Sequence, residues 1–313
     1  MICSRLHGQL KMFVESLKIR IKCLLLKFLH AKNPGCQIGG SDPDFPWVDR
    51  GLPDQNKISF AHVGGIGDIL FSLYFCRDFA RYRKVEKVDF FIVSCRNGLP
   101  SAAAEFLRPL LEKQDFIDSV SVVEQPPENS VMLDDYRKLK INFASGDIRS
   151  WYYNLTQLHL PREFWKPVIY VEPASGYQDK IFITLTGRYC NVHLDCRHLE
   201  KFKNQLVFLG LPSEHADFCN RYFDIPFCQC SNMLEMAEYM AGARGFIGSQ
   251  SGIYSLAECM KIPRILLAPD FVDYHGVTIP GPHNNLPQGG WNEDVSSTEK
   301  MVKAVEEMLA AGE

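Results

Sequence analysis

From Ile58 onward the apolar residues fall into two alternating rhythms. Short continuous runs of strand length are followed by stretches in which apolar positions recur every three or four residues. Ile58 to Val63 reads as a strand and Asp68 to Arg83 as a helix. Val88 to Ser94 is the next strand, Ala102 to Lys113 the next helix, and Asp118 to Glu124 a third strand. Strands separated by helices of this length predict parallel βαβ units. Phe143 to Pro167 is aromatic and rich in turn residues, and reads as active-site loops leading to a crossing between domains. A second series then begins, with strands at Lys180 to Thr186, Asn204 to Leu211, Gly245 to Ser249 and Pro263 to Pro269, and a closing helix from Ser297 to Ala311. The same architecture thus occurs twice, as Rossmann-like lobes at 58–174 and 175–313 with the boundary between Glu172 and Asp179. Two such lobes facing each other put a ligand cleft at the carboxyl ends of both sheets.

The first residues follow a different pattern. Leu6, Leu10, Phe13, Leu17, Ile21, Leu24 and Phe28 keep helical spacing, and residues 1–35 carry seven Lys or Arg against one acid, Glu15. The run from Ile19 to Leu29 is interrupted by Arg20, Lys22 and Lys27, so it is too short and too charged to span a bilayer. Residues 1–35 read as a basic amphipathic helix suited to an anionic membrane surface, with docking on the protein's own body or on a partner as the other reading. Residues 36–57, rich in Pro, Gly, Asp and Asn, read as a linker.

Composition narrows the class. The chain has 313 residues, of which 46% are hydrophobic and 23% charged, which suits a protein with a substantial core. A net charge of −3 offers no general attraction to nucleic acid. Eleven cysteines, an odd number without repeated CxxC spacing, point to reduced thiols and a cytoplasmic setting. Cys190, His193, Cys196 and His198 stand at metal-like spacing, but one compact loop rarely supplies four ligands with workable geometry, so no metal is expected.

Three stretches carry candidate chemistry. In HVGGIGDILFSL, Gly64, Gly65 and Gly67 allow a sharp turn and a close backbone approach, and the helix that follows offers unpaired N–H groups. The dinucleotide pattern GxGxxG fails, because Leu70 holds its third glycine position. Locally, Asp68 is either a helix-terminal acid or a catalytic one. In FIGSQSGIYSLAECM, Gly248, Ser249, Gln250, Ser251 and Gly252 lie between a strand and a helix, where small residues and hydroxyls suit phosphate oxygens or simply cap the helix. In TLTGRY, Thr186 and Arg188 follow a strand, a setting that suits a diphosphate or an ordinary polar loop.

Taken together, these stretches resemble the heptosyltransferase-like, family 9-like GT-B glycosyltransferases. HVGGIGDILFSL looks like the family's N-terminal loop, FIGSQSGIYSLAECMKIPRILLAP like its nucleotide-sugar motif, and QLVFLGLPSEHADF, with Gly210, like the strand and turn before that motif. The resemblance spans Ile58 to Pro269. It implies a GT-B fold and an inverting, metal-independent transfer of a sugar from a nucleotide-diphosphate donor to a glycan or lipid-linked acceptor in cell-surface polysaccharide synthesis. Under the resemblance Asp68 is the general base, the Ser249 to Gly252 helix end, Thr186 and Arg188 meet the diphosphate, and Glu258 faces the ribose or is a core-edge acid. No cofactor is implied beyond the sugar nucleotide as co-substrate. Gln250 stands where the family commonly has an acid or asparagine, which leaves the sugar open, and Arg188 takes the place of a lysine. Arg96, Arg149, Trp151, Tyr152 and His62 are candidates for an acceptor wall, or surface arginines and core aromatics. Rival readings are a non-catalytic glycan- or nucleotide-binding protein, a sugar-nucleotide epimerase, and a methyltransferase using the glycine loop.

Overall fold

The computed structural model describes residues 57–94, 98–139, 148–186, 194–267, 292–295 and 297–311. The helix expected at 1–35, the linker at 36–57 apart from Lys57, and Arg96, Gly187 and Arg188 lie outside the described residues. Among the described residues no helix is long and apolar enough to cross a membrane.

The first lobe carries β1 (Ile58–His62), α1 (Ile66–Tyr82), β2 (Val88–Val93), α2 (Ser101–Glu112), β3 (Ile117–Val123) and β4 (Val131–Met132). Its strands pair in parallel in the order β3-β2-β1-β4. A 3₁₀ turn, Leu133–Lys138, follows β4, and a short helix α3 (Ile148–Tyr152) lies within the segment expected to be loops. The second lobe has β5 (Ile181–Thr184), β6 (Leu206–Leu209), α4 (Pro212–Arg221), β7 (Phe227–Cys228), α5 (Met233–Ala241), β8 (Gly245–Gly248), α6 (Gly252–Met260), β9 (Arg264–Leu267), β10 (Asn292–Val295) and α7 (Thr298–Ala310). All pairings in its sheet, ordered β10-β9-β8-β5-β6-β7, are also parallel. The central strands β5, β6, β8 and β9 are buried at every position, as strands covered on both faces must be, and this is why, Arg264 at the head of β9 apart, they read as near-continuous apolar runs.

One apolar core runs through both lobes. Phe60 of β1 meets the rings of Phe75 and Phe79 on α1 edge-on, at 6.1 and 6.2 Å. The same buried cluster continues into Phe182, Leu209, Tyr254 and Leu256 of the second lobe. The opposite face of the second sheet has its own core, where Ile181, Ile183, Phe208 and Ile265 pack with Met301 and Val305 of α7. Helices α1 and α6 touch near their N-termini, since a Cβ at Gly67 would lie 2.8 Å from Ser255 Oγ and one at Gly252 would lie 3.1 Å from Ile66 Cβ. Lower down, Cys259 Sγ reaches the Leu70 carbonyl at 3.5 Å. The crossing chain is strapped to the second lobe as well. Val168 N–H donates to the Cys259 carbonyl at 2.9 Å, Ala174 N–H donates to that of Glu238 at 2.9 Å, and a side chain at Gly242 would overlap the Ala174 carbonyl. The lobes therefore pack directly along α1 and α6, and the loops at the strand carboxyl ends are brought to the rim of that contact.

Candidate functional site

Asp68 sits in the first turn of α1, which Gly65 opens in an extended conformation without a side-chain cap. Its carboxylate is partly exposed, and Oδ2 accepts from Arg137 Nη2 at 3.0 Å. Its backbone carbonyl accepts from the Tyr152 hydroxyl at 2.9 Å. That hydroxyl lies 3.0 Å from Nε2 of His62, which is fully buried at the end of β1. Because Tyr152 donates to Asp68, its oxygen is left to accept from His62 Nε2–H. Nδ1 of His62 lies between a donor, the Gly64 amide at 2.8 Å, and an acceptor, Asp134 Oδ2 at 2.9 Å. A proton on Nδ1 serves Asp134, and a bare Nδ1 serves Gly64. Burial pushes the Asp134 carboxyl up, but the hydrogen bond and charge of His62, the Val63 amide and Arg137 outweigh it and leave it lowered. Gly64 has no room for a side chain, since a Cβ would stand 2.5 Å from His62 Cε1 and 3.0 Å from Asp68 Oδ2. Gly65, by contrast, has open space around it.

The second loop assembles on the other lobe. Ser249 Oγ accepts from the Thr186 amide at 2.9 Å and lies 3.1 Å from the Thr186 hydroxyl, so the ends of β5 and β8 are tied by their hydroxyls. Gly248 lies against the Phe246 ring, leaving no space for a Cβ. Ser251 caps α6 by accepting from the Tyr254 amide at 3.2 Å, as its capping reading requires. Gln250 is 8% exposed, and its carboxamide oxygen has no hydrogen-bond partner among the described residues. Gly210 ends β6, where a Cβ would lie 2.9 Å from Glu214 Oε2, the atom that accepts from the Leu211 amide at 3.0 Å.

Arg149 and Glu258, expected at acceptor and ribose on opposite sides of a cleft, are instead bonded to each other. Arg149 Nη1 meets Glu258 Oε1 at 2.5 Å, and both side chains are wholly buried. The arginine packs beneath the rings of Phe71, Tyr74 and Phe164, at 5.5, 5.7 and 5.2 Å from their centroids. Glu258 also holds Arg264, through Oε2 at 2.5 Å, and Lys261. Helical spacing could not reveal this, because the amphipathic face that buries Glu258 covers it with the other lobe. Of the proposed acceptor wall, His62 and Tyr152 join the Asp68 network, while Trp151 is buried against Tyr136. Asp134 and Arg137 belong to no motif; the opposed charges of LDDYRK, three residues apart, are the signal the sequence offers for them. Cys196 is buried at the start of a 3₁₀ turn, Cys190 and His193 lie outside the described residues, and no group of three or more metal-ligating side chains occurs among those described.

Lys261 makes the interlobe cluster testable. Burial draws its ammonium down from 10.5 to about 8, against the opposing pull of Glu258. The folded state therefore holds this proton less well than the unfolded chain, so the penalty is fully present below about pH 8 and is relieved as pH rises toward 10.5. Lys261→Met is expected to raise the melting temperature at pH 7 and to lose that advantage by pH 10. A melting temperature lowered at pH 7 would mean that Glu258 needs this third cation.

No family model matches the sequence, and no curated protein matches it. Solved structures do. A family 9 glycosyl transferase from Veillonella parvula DSM 2008 superposes with a TM-score of 0.56 at 11% identity, over 82% of this chain and 97% of that one. The E. coli heptosyltransferase WaaC, solved with ADP-2-deoxy-2-fluoro heptose, gives 0.53 at 9% identity, over 82% of this chain and 100% of that one. The E. coli ADP-heptose heptosyltransferase II gives 0.50 at 11% identity, over 82% and 99% of the two chains. The chain thus has the two-lobed GT-B fold that these glycosyltransferases share.

Proposed function

We propose that this protein is an inverting glycosyltransferase that moves a sugar from a nucleotide-diphosphate donor to a hydroxyl of a glycan or lipid-linked acceptor. The observation that carries the reading is the meeting of two loops at the rim of the lobe contact. One presents the partly exposed Asp68, and the other presents the N-terminus of α6 beside the Thr186–Ser249 hydroxyl pair. The related folds add to it, since WaaC was solved with a fluorinated ADP-heptose and with ADP.

In this mechanism the acceptor oxygen attacks the anomeric carbon on the face opposite the diphosphate. Asp68 takes the hydroxyl proton as the new C–O bond forms, and the bond to the diphosphate oxygen breaks. Charge grows on that leaving oxygen. Fixed donors near that oxygen lower the barrier without having to reorganise; the α6 amides and the Thr186 and Ser249 hydroxyls take this role, and Arg188 is assigned to it from the sequence alone. The chain supplies these groups itself, so turnover persists in EDTA.

The expected result in a thermal-shift panel is that at least one of UDP, GDP, ADP or their sugars raises the melting temperature, whereas S-adenosylmethionine does not. Ligand at about 100 times its Kd stabilises by about 2.7 kcal/mol, a shift such a panel resolves. A response to S-adenosylmethionine alone would replace the reading with methyl transfer.

A further inference from the structure

We infer that Arg137 is a positioning residue for Asp68 and that Asp134 anchors Arg137 for this task. The inference rests on the reading of Asp68 as the general base.

The ion pair between Arg137 and Asp68 contributes little as a stabilising contact. The two side chains are 51% and 31% exposed, and pairs this open are worth about 0–1 kcal/mol. Its geometry is better explained by orientation. Arg137 Nη2 holds Oδ2 of Asp68 at 3.0 Å, which leaves Oδ1 to receive the proton of an incoming hydroxyl. A half-exposed arginine would normally wander among rotamers. Here its Nε lies 3.5 Å from Asp134 Oδ1, and its guanidinium carbon lies 4.8 Å from the centroid of the Tyr136 ring. Asp134 is itself held, because its other oxygen accepts from the Val63 amide at 2.7 Å and lies 2.9 Å from Nδ1 of the buried His62. His62 then reaches Tyr152, whose hydroxyl fixes the Asp68 carbonyl at 2.9 Å. Both the side chain and the backbone of Asp68 are therefore held by one network, rooted in the end of β1 and the 3₁₀ turn Leu133–Lys138. A guanidinium suits the bridge because its planar fork can face two carboxylates at once, whereas an ammonium is a point charge.

The test follows release of nucleoside diphosphate from ADP-, GDP- and UDP-sugars to water or acceptor, in the full chain and in Arg137→Met, Arg137→Lys, Asp68→Asn and the double variant Asp68→Asn/Arg137→Met. Misplacing a reacting group by an ångström can cost about 100-fold. Arg137→Met is expected to lower kcat about 10- to 100-fold with donor KM within about twofold, and Arg137→Lys to recover only part. The double variant should be no slower than Asp68→Asn, since the arginine acts through the carboxylate. An Arg137→Met enzyme with unchanged kcat, or with raised KM alone, overturns the positioning role and leaves the base reading standing. Activity retained in Asp68→Asn, or no turnover by the wild-type chain with any of these donors, overturns the base reading instead. Melting temperatures of all variants separate these outcomes from failure to fold.

Discussion

Glu258→Gln is expected to cost the folded chain about 3–5 kcal/mol, the range seen when one partner is removed from a buried charge cluster. The side chains of Glu258, Arg149 and Arg264 have no solvent exposure, and that of Lys261 has 6%. The glutamate is the carboxylate on which all three cations converge, through Oε1 for Arg149 and Lys261 and Oε2 for Arg264. Glutamine keeps the shape and removes the charge. Lys261 can respond by shedding its proton, but the arginines cannot, so their repulsion and desolvation remain. Arg149 belongs to the first lobe, and the other three residues to the second. The loss should therefore appear as weakened docking between lobes as well as a lower denaturation midpoint. Urea unfolding followed by circular dichroism gives the free energy, and proteolysis in the crossing segment at 170–180 reports the docking. A cost below about 1 kcal/mol would show that the charges of Arg149, Arg264 and Lys261 are compensated by groups other than Glu258.

The same cluster is illegible in the sequence, whereas much of the fold is not. Buried parallel strands announce themselves, and the runs at Ile58–His62, Val88–Val93, Ile181–Thr184 and Gly245–Gly248 fell within a residue or two of expectation. Helix α1 starts at Ile66, two residues before the expected Asp68, because Gly65 rather than the acid opens it. The strands that went unread are short or polar. β4 and β7 have two residues each, and β10, with the sequence NEDV, is an edge strand in which no apolar run exists to see. Local spacing identified both loops, since a glycine turn into a helix is written in neighbouring residues. What surrounds Asp68 was not legible: Arg137 is 69 residues away and Tyr152 is 84. Arg149 misled for the same reason, as an arginine in an aromatic stretch looks alike whether it lines a pocket or fastens two lobes.

Asp68→Asn is expected to lower sugar transfer by about 10²- to 10⁴-fold, the range of general-base catalysis, while nucleoside diphosphate binding stays within about twofold. The substitution separates the first-turn acid seen in α1 from the general base proposed for the same side chain. As an acid in the first turn of α1 it interacts favourably with the helix dipole, worth about 0.3–1 kcal/mol, and its exposed pair with Arg137 adds at most about as much. Asparagine keeps the side-chain oxygen and the backbone carbonyl that Tyr152 holds, so melting should fall by only a few degrees. If the dipole were the whole story, activity would follow that small loss of stability and remain near wild type. If Asp68 takes the acceptor proton, catalysis collapses in a protein that still folds and still binds donor. Gly64→Ala supplies the complementary case. It leaves the carboxylate chemically unchanged but puts a methyl group 2.5 Å from His62 Cε1 and 3.0 Å from Asp68 Oδ2, so the loop must shift. On the proposed mechanism transfer should then fall although the Asp68 carboxylate is chemically intact, because Gly64 leaves the space that His62 and Asp68 occupy.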